Sequence, residues 1–125
     1  LEEHRSKKEK IYQRYEQGLK GLPVSMNPYL ACSKPNFWLS CLLIDEGCKV
    51  TPMELFDRLN ELNIETRPIW KPMSMQPVFK NHDFIKVEEN AVGADIFARG
   101  LCLPSDIKMT DEEQNFVIEA IKSCF

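Results

Sequence analysis

Glycine is scarce in this chain: five residues in 125, at Gly18, Gly21, Gly47, Gly93 and Gly100. A nucleophile elbow, a P-loop and a dinucleotide fingerprint all depend on clustered glycines, which let backbone N–H groups approach a phosphate or form a strained turn. The scattered glycines exclude all three. Histidine is scarcer still, with only His4 and His82, and the five cysteines (Cys32, Cys41, Cys48, Cys102, Cys124) contain no CxxC pair. Zinc needs close-paired ligands, so no metal site is expected. Cysteines spaced this way suggest reduced, buried thiols in a cytoplasmic protein. A basic excess is also missing. Sixteen Lys and Arg against nineteen Asp and Glu give a net charge of −3 and a pI near 5.4, unlike the footprint of a nucleic-acid binder. No apolar run approaches the ~20 residues that span a membrane, and no stretch reads as a signal peptide.

What is present fits one soluble globular domain: 43% hydrophobic and 28% charged residues, in a chain long enough for its own core. The most distinctive stretch is 64–79, IETRPIWKPMSMQPVF. Pro68, Pro72 and Pro77 each fix φ, remove a donor and push the preceding residue towards an extended conformation. A short strand over 64–67 is therefore expected to run into a stiffened loop carrying Trp70, Lys71, Met73, Ser74, Met75 and Gln76. Such a loop suits ligand lining, because much of its ordering entropy is lost before binding. Packing of Trp70 and the methionines over a sheet edge would account for the same residues.

Around this stretch the spacing predicts helices and short strands. Ile11, Tyr12, Tyr15, Leu19 and Leu22 share one face of a helix over 2–19, weakened and then ended by Gly18 and Gly21. No capping residue precedes it, so it reads as a helix entered midway. Residues 22–36, with Pro23, Pro28 and Pro35, read as loop. The apolar run 37–44 (FWLSCLLI) predicts a strand buried on both faces or nearly so. Thr51, Pro52 and Glu54 form a capping box opening a helix with Leu55, Phe56, Leu59 and Leu62 inward and Asn63 as a left-handed stop. Residues 81–93 are polar and loop-like. A short helix over 94–99 leads to a strand at 101–103, stopped by Pro104. Thr110 to Glu113 is a second capping box, with Val117, Ala120, Ile121 and Cys124 facing inward. The expected fold is a two-layer α/β (α+β) domain: a small three-stranded sheet covered by helices, in the order α-β-α-β-loop-α-β-α. So few strands leave one sheet face in need of a partner surface.

No self-sufficient active site emerges. Adjacent residues such as His82 and Asp83 do not naturally aim at one point. Glu112 and Glu113 are explained by the dipole of the helix they open. Lys71 has nothing near it in sequence that would depress its pKa as a Schiff-base lysine requires.

Four motifs in order are nonetheless familiar: Ile64-Glu65-Thr66-Arg67-Pro68, Trp70 through Pro77, Leu101-Cys102-Leu103-Pro104, and Thr110-Asp111-Glu112-Glu113. Together they resemble the C-terminal small domain of the DegT/DnrJ/EryC1/StrS sugar aminotransferases. The wording of RPIWKPM is nearest to members that make amino sugars for surface glycans, such as bacillosamine-type enzymes. The resemblance covers nearly all of residues 1–125 and implies fold-type I. It implies a pyridoxal phosphate cofactor bound to a lysine in a large domain preceding this one, with no catalytic residue and no metal ligand here. It also implies a nucleotide-sugar substrate, glutamate as the typical amino donor, and a homodimer. Trp70, Lys71, Ser74 and Gln76 are the implied substrate-lining residues. The family usually has histidine where Ser74 stands, and a hydroxyl cannot act as an imidazole acid or cation. Arg67 and residues 36–38 match as well, although placement at strand ends explains them equally. Two other readings keep the fold and drop the enzyme: a regulatory or sensor relative, which Ser74 favours, and a free-standing α/β interaction module, which a native start near Leu1 would favour.

Overall fold

The structure, a computed structural model, describes residues 1–87 and 91–125. Glu88, Glu89 and Asn90, part of the stretch expected to be loop, lie outside the described residues. In chain order the elements are α1 (Glu2–Gly18), β1 (Val24–Met26), β2 (Ser40–Ile44), α2 (Pro52–Glu61), β3 (Arg67–Pro68), two 3-10 turns (Met73–Met75 and Pro77–Phe79), α3 (Val92–Arg99), β4 (Gly100–Leu103) and α4 (Asp111–Lys122). The strands form one antiparallel sheet in the order β1-β2-β4-β3.

Among the described residues the sheet thus has four strands rather than the expected three. The addition, β1, lies within the stretch read as loop. It is an edge strand of three residues, and Pro23 and Pro28 confine it to the rim, where a missing N–H breaks no ladder. Pro23 still accepts from the Asp45 N–H through its carbonyl, at 2.9 Å. The strand expected over 64–67 is reduced to Arg67–Pro68, paired with Cys102 and Leu101, because Pro68 cannot donate and the chain turns away after it.

The run 37–44 also differs from expectation. Phe37 has φ of 51°, a left-handed conformation uncommon for a bulky residue. The adjoining turn is closed by the Trp38 N–H donating to Asn36 Oδ1 at 3.0 Å. Phe37 is thereby sent inward, with ring centroids 5.2 Å from Tyr12 and 5.3 Å from Tyr29, while Trp38 is sent outward. The strand starts only at Ser40. Within it Ser40, Leu42 and Ile44 are buried, whereas Cys41 and Leu43 are half-buried. One sheet face is therefore core and the other is only partly covered.

The core lies between that face and three helices. Tyr12 and Tyr15 from α1, Leu55 and Leu59 from α2, and Ile121 from α4 surround Leu42 and Leu101. Helix α3 contributes no buried residue. Both capping boxes form, with Thr51 Oγ1 accepting from the Glu54 N–H and Thr110 Oγ1 from the Glu113 N–H, each at 3.2 Å. Asn63, at φ 57°, ends α2 in the left-handed conformation. The thiols are less buried than expected. Only Cys102 is buried, and Cys32 is exposed.

An ion pair fastens α3 to the sheet. Arg99 donates to both Asp95 oxygens, at 2.7 and 2.5 Å, and through its remaining arm to the Ile44 carbonyl at 2.7 Å. The guanidinium hydrogen bonds hold the Asp95 carboxyl below its ordinary value of 3.8. A carboxyl depressed in the fold contributes stability that is present above its unfolded pKa and lost as pH falls through the folded one. Asp95→Asn is therefore expected to flatten the fall of melting temperature with acid below about pH 4. Curves of melting temperature against pH for the two proteins should converge in that window. Parallel curves would show that the pair carries no such linkage.

Candidate functional site

A concavity with a volume of about 920 Å³ opens along the β3 edge of the sheet. Leu62 to Pro68 form one wall, and Pro104 to Met109 with the first turns of α4 form another. Trp38 and Trp70 stand at its rim. Their rings lie 5.7 Å apart between centroids, tilted by 37°, and each tryptophan is 62% exposed. Two large, rigid aromatic faces at the mouth of an apolar cleft can hold a flat or apolar group with little further loss of entropy.

Each tryptophan is positioned by specific contacts. The left-handed Phe37 turns Trp38 outward, and the Lys8 ammonium donates to the Trp38 carbonyl at 3.1 Å and to the Ser105 carbonyl. Lys8 thus ties α1 to both sides of the cleft. Ser105 reinforces the join, its hydroxyl accepting from the Ser40 N–H and donating to the Leu103 carbonyl, both at 3.0 Å. Beneath them the Tyr15 hydroxyl donates to the Pro104 carbonyl at 2.8 Å. Burial pushes the pKa of Tyr15 upward, so it serves as a neutral donor. Trp70 follows Ile69, whose side chain packs in the space left by Gly100. In the cleft wall the Thr66 hydroxyl is buried with no hydrogen-bond partner among the described residues.

The four residues expected to line a substrate do not converge. Trp70 lies on the large cleft. Ser74 instead lines a separate depression of about 400 Å³, together with Phe79, His82 and Gly93. There the His82 ring meets Phe79 edge-on, with centroids 5.6 Å apart. Lys71 is exposed and lines neither space. Gln76 reaches back, its amide donating to the Lys71 carbonyl at 3.2 Å, so within this chain it braces the loop. Trp38 matches the family pattern but is equally explained in the sequence by a strand end; its pairing with Trp70 could not be read, because the two lie 32 positions apart (70 − 38). Among the described residues no group of three His, Cys, Asp or Glu could hold a metal ion, and no helix is long and apolar enough to cross a membrane.

The sequence profile of the DegT/DnrJ/EryC1/StrS aminotransferase family matches residues 1–122. The chain belongs to that family. Among curated relatives of this aminotransferase-family chain, EpsN of Bacillus subtilis is named as a candidate pyridoxal phosphate-dependent aminotransferase. It is 40% identical over 127 aligned positions, which cover all of this chain and 32% of EpsN. GDP-perosamine synthase of Caulobacter vibrioides is 30% identical, over 97% of this chain and 32% of the synthase. The chain thus spans about a third of the length of the curated relatives it matches. Its fold is shared with a DegT DnrJ EryC1 StrS aminotransferase from Brucella abortus at a TM-score of 0.82. That match has 20% identity and covers 98% of this chain and 31% of the other.

Proposed function

We propose that this chain is the C-terminal domain of a pyridoxal phosphate-dependent aminotransferase. The intact protein would transfer an amino group, typically from glutamate, to a keto-sugar nucleotide in surface-glycan synthesis. The observation that carries this reading is the end-to-end family match, joined to 40% identity with EpsN. The residues here do not make a holder for the cofactor by themselves. Lys71 is exposed and Lys108 lies exposed at the cleft rim, so neither has the enclosed setting that a Schiff-base lysine requires. The cofactor, an electron sink when bound, would be held by an N-terminal large domain, in a cytoplasmic homodimer. The role left to this domain is to close one side of the substrate cleft.

The test is to purify the full-length protein and incubate it with pyridoxal phosphate, glutamate and a 4-keto-sugar nucleotide. Formation of 2-oxoglutarate and the amino sugar supports the reading. If the cofactor binds but no amino group moves, the sensor reading stands instead, which Ser74 in place of histidine favours. In the active protein Trp70→Ala is expected to raise KM for the sugar nucleotide roughly fivefold with little change in kcat, the loss of one aromatic contact worth about 1 kcal/mol. An unchanged KM would remove Trp70 from the substrate site.

A further inference from the structure

Cys41 on β2 and Cys102 on β4 are direct partners in the antiparallel register, and their sulfurs lie 3.6 Å apart. The kind of pair they form can be read from the hydrogen bonds. The Cys41 N–H donates to Asn27 Oδ1 and its carbonyl accepts from the Asn27 N–H, both at 2.8 Å. Both groups therefore point towards β1, away from β4. Ser40, the preceding residue, turns its N–H to Ser105 on the opposite side, as alternation requires. Cys41 and Cys102 are thus a non-hydrogen-bonded pair, the closer of the two antiparallel arrangements, with Cα atoms about 4.5 Å apart. That separation lies inside the range a disulfide spans, so a bond could close without moving either strand.

We propose that Cys41 and Cys102 form a peroxide-responsive dithiol that closes reversibly to a cross-strand disulfide. The two sulfurs have different settings. Cys102 is buried but lines the large cleft, whereas Cys41 is half-buried on the partly covered sheet face. With the Cys41 S–H donating, the hydrogen bond holds the Cys102 thiol below its ordinary pKa, while the same bond and burial push Cys41 up. Cys102, the one of the two that lines the open cleft through which peroxide can arrive, is assigned as the nucleophile and Cys41 as the resolving thiol. The Cys102 thiolate attacks one oxygen of hydrogen peroxide, the O–O bond breaks, and hydroxide leaves to take up the proton that Cys102 gave away. The Cys41 sulfur then attacks the Cys102 sulfenic sulfur. The S–O bond breaks and the hydroxyl leaves as water with the Cys41 proton. Two thiols are oxidised by two electrons, and one peroxide is reduced to two waters. A thiol such as glutathione reverses the reaction by exchange. The bond would tie the two central strands together beneath the cleft. Transient disulfides of this kind are the sort found in reducing compartments.

The test uses the full-length protein treated with a small excess of hydrogen peroxide, then alkylated and mapped by non-reducing peptide mass spectrometry. A Cys41–Cys102 linkage is expected, lost on adding dithiothreitol, with a melting temperature several degrees higher in the oxidised protein. Cys41→Ser should abolish the linkage and leave a sulfenic acid on Cys102 that a dimedone probe traps. Exposed Cys32 should respond to peroxide alike in both proteins and serves as the internal gauge of the peroxide dose. If Cys41 and Cys102 stay fully alkylatable under peroxide that oxidises Cys32, the proposal is overturned. Linkage of either cysteine to a different partner overturns it as well. Mapping of the unmodified protein decides the matter even if a variant fails to fold.

Discussion

Leu101→Ala is expected to cost about 3–5 kcal/mol, the upper part of the range for truncating a leucine in a packed core. Leu101 is fully buried in the middle of β4. It is paired with Leu42 on one side and Pro68 on the other. Such a site collapses poorly after truncation. The strands on both sides are held by ladder hydrogen bonds, and Tyr15, Leu55 and Leu59 above it are themselves fully buried. The cavity should therefore persist, and its cost adds to the lost transfer free energy. A domain of this size has a total stability of about 5–15 kcal/mol, so this one change removes a large share. Urea unfolding followed by circular dichroism measures it, with the midpoint falling at unchanged slope. Met53→Ala, at a residue 54% exposed on α2, is the control and should stay within about 0.5 kcal/mol. A loss below about 1 kcal/mol at Leu101 would mean that the sheet repacks far more freely than its register implies.

The parts of the fold that could be read from the sequence are those whose signals are local. The Thr51 and Thr110 capping boxes each complete a circuit within four residues, and both helices begin where the boxes place them. Asn63 stops α2 because its short amide tolerates the left-handed region. The proline loop follows from constraints that each proline imposes on its own bond. What could not be read depends on distant partners. Strand β1 has three residues, too few to show alternation, and exists because β2 offers it a ladder. The left-handed turn at Phe37 is held by ring contacts to Tyr12, 25 positions earlier (37 − 12), as well as by Asn36. An apolar run alone reads as strand from its first residue.

The site divides in the same way. The aromatic and polar character of residues 70–76 is written locally, and the proline spacing shows that the segment is stiff. Which side chains meet is decided elsewhere. Trp70 finds Trp38 because β2 and β3 flank β4. Ser74 faces Phe79 and Gly93 because α3 folds back along the loop. The Lys8 clamp joins residues 97 apart (105 − 8), and nothing in a basic, helical stretch marks one lysine among several as structural. The family resemblance implies substrate-lining roles for a whole stretch; in this chain Trp70 and Ser74 lie on different concavities and the Gln76 amide donates to the Lys71 carbonyl.

Gly100→Ala should have the largest effect of any change of comparable size. Its backbone, at φ −102° and ψ 152°, is ordinary extended chain, so conformational freedom does not explain the glycine. Space does. A Cβ there would sit 2.6 Å from the Ile96 carbonyl oxygen and 2.4 Å from Ile69 Cγ1. Ile69 can move, but the carbonyl belongs to the last turn of α3, which Arg99 fastens to β2. Overpacking of this kind costs about 1–3 kcal/mol, or roughly 3–10 °C of melting temperature for a chain of this length. Gly93→Ala is the contrasting control. Its Cβ would meet Pro72 at 3.5 Å, an ordinary contact, and alanine within a helix is favoured by up to about 1 kcal/mol. The two substitutions should therefore shift the melting temperature in opposite directions. Gly100→Ala carries a second consequence, because the displaced Ile69 is bonded to Trp70. The 5.7 Å ring pair is formed by the only two tryptophans in the chain, so its disturbance is readable in near-ultraviolet circular dichroism at temperatures where the chain is still folded. A stability loss without that spectral change would show that the loop absorbs the methyl group before it reaches the cleft, and would separate the packing role of Gly100 from any part in placing Trp70.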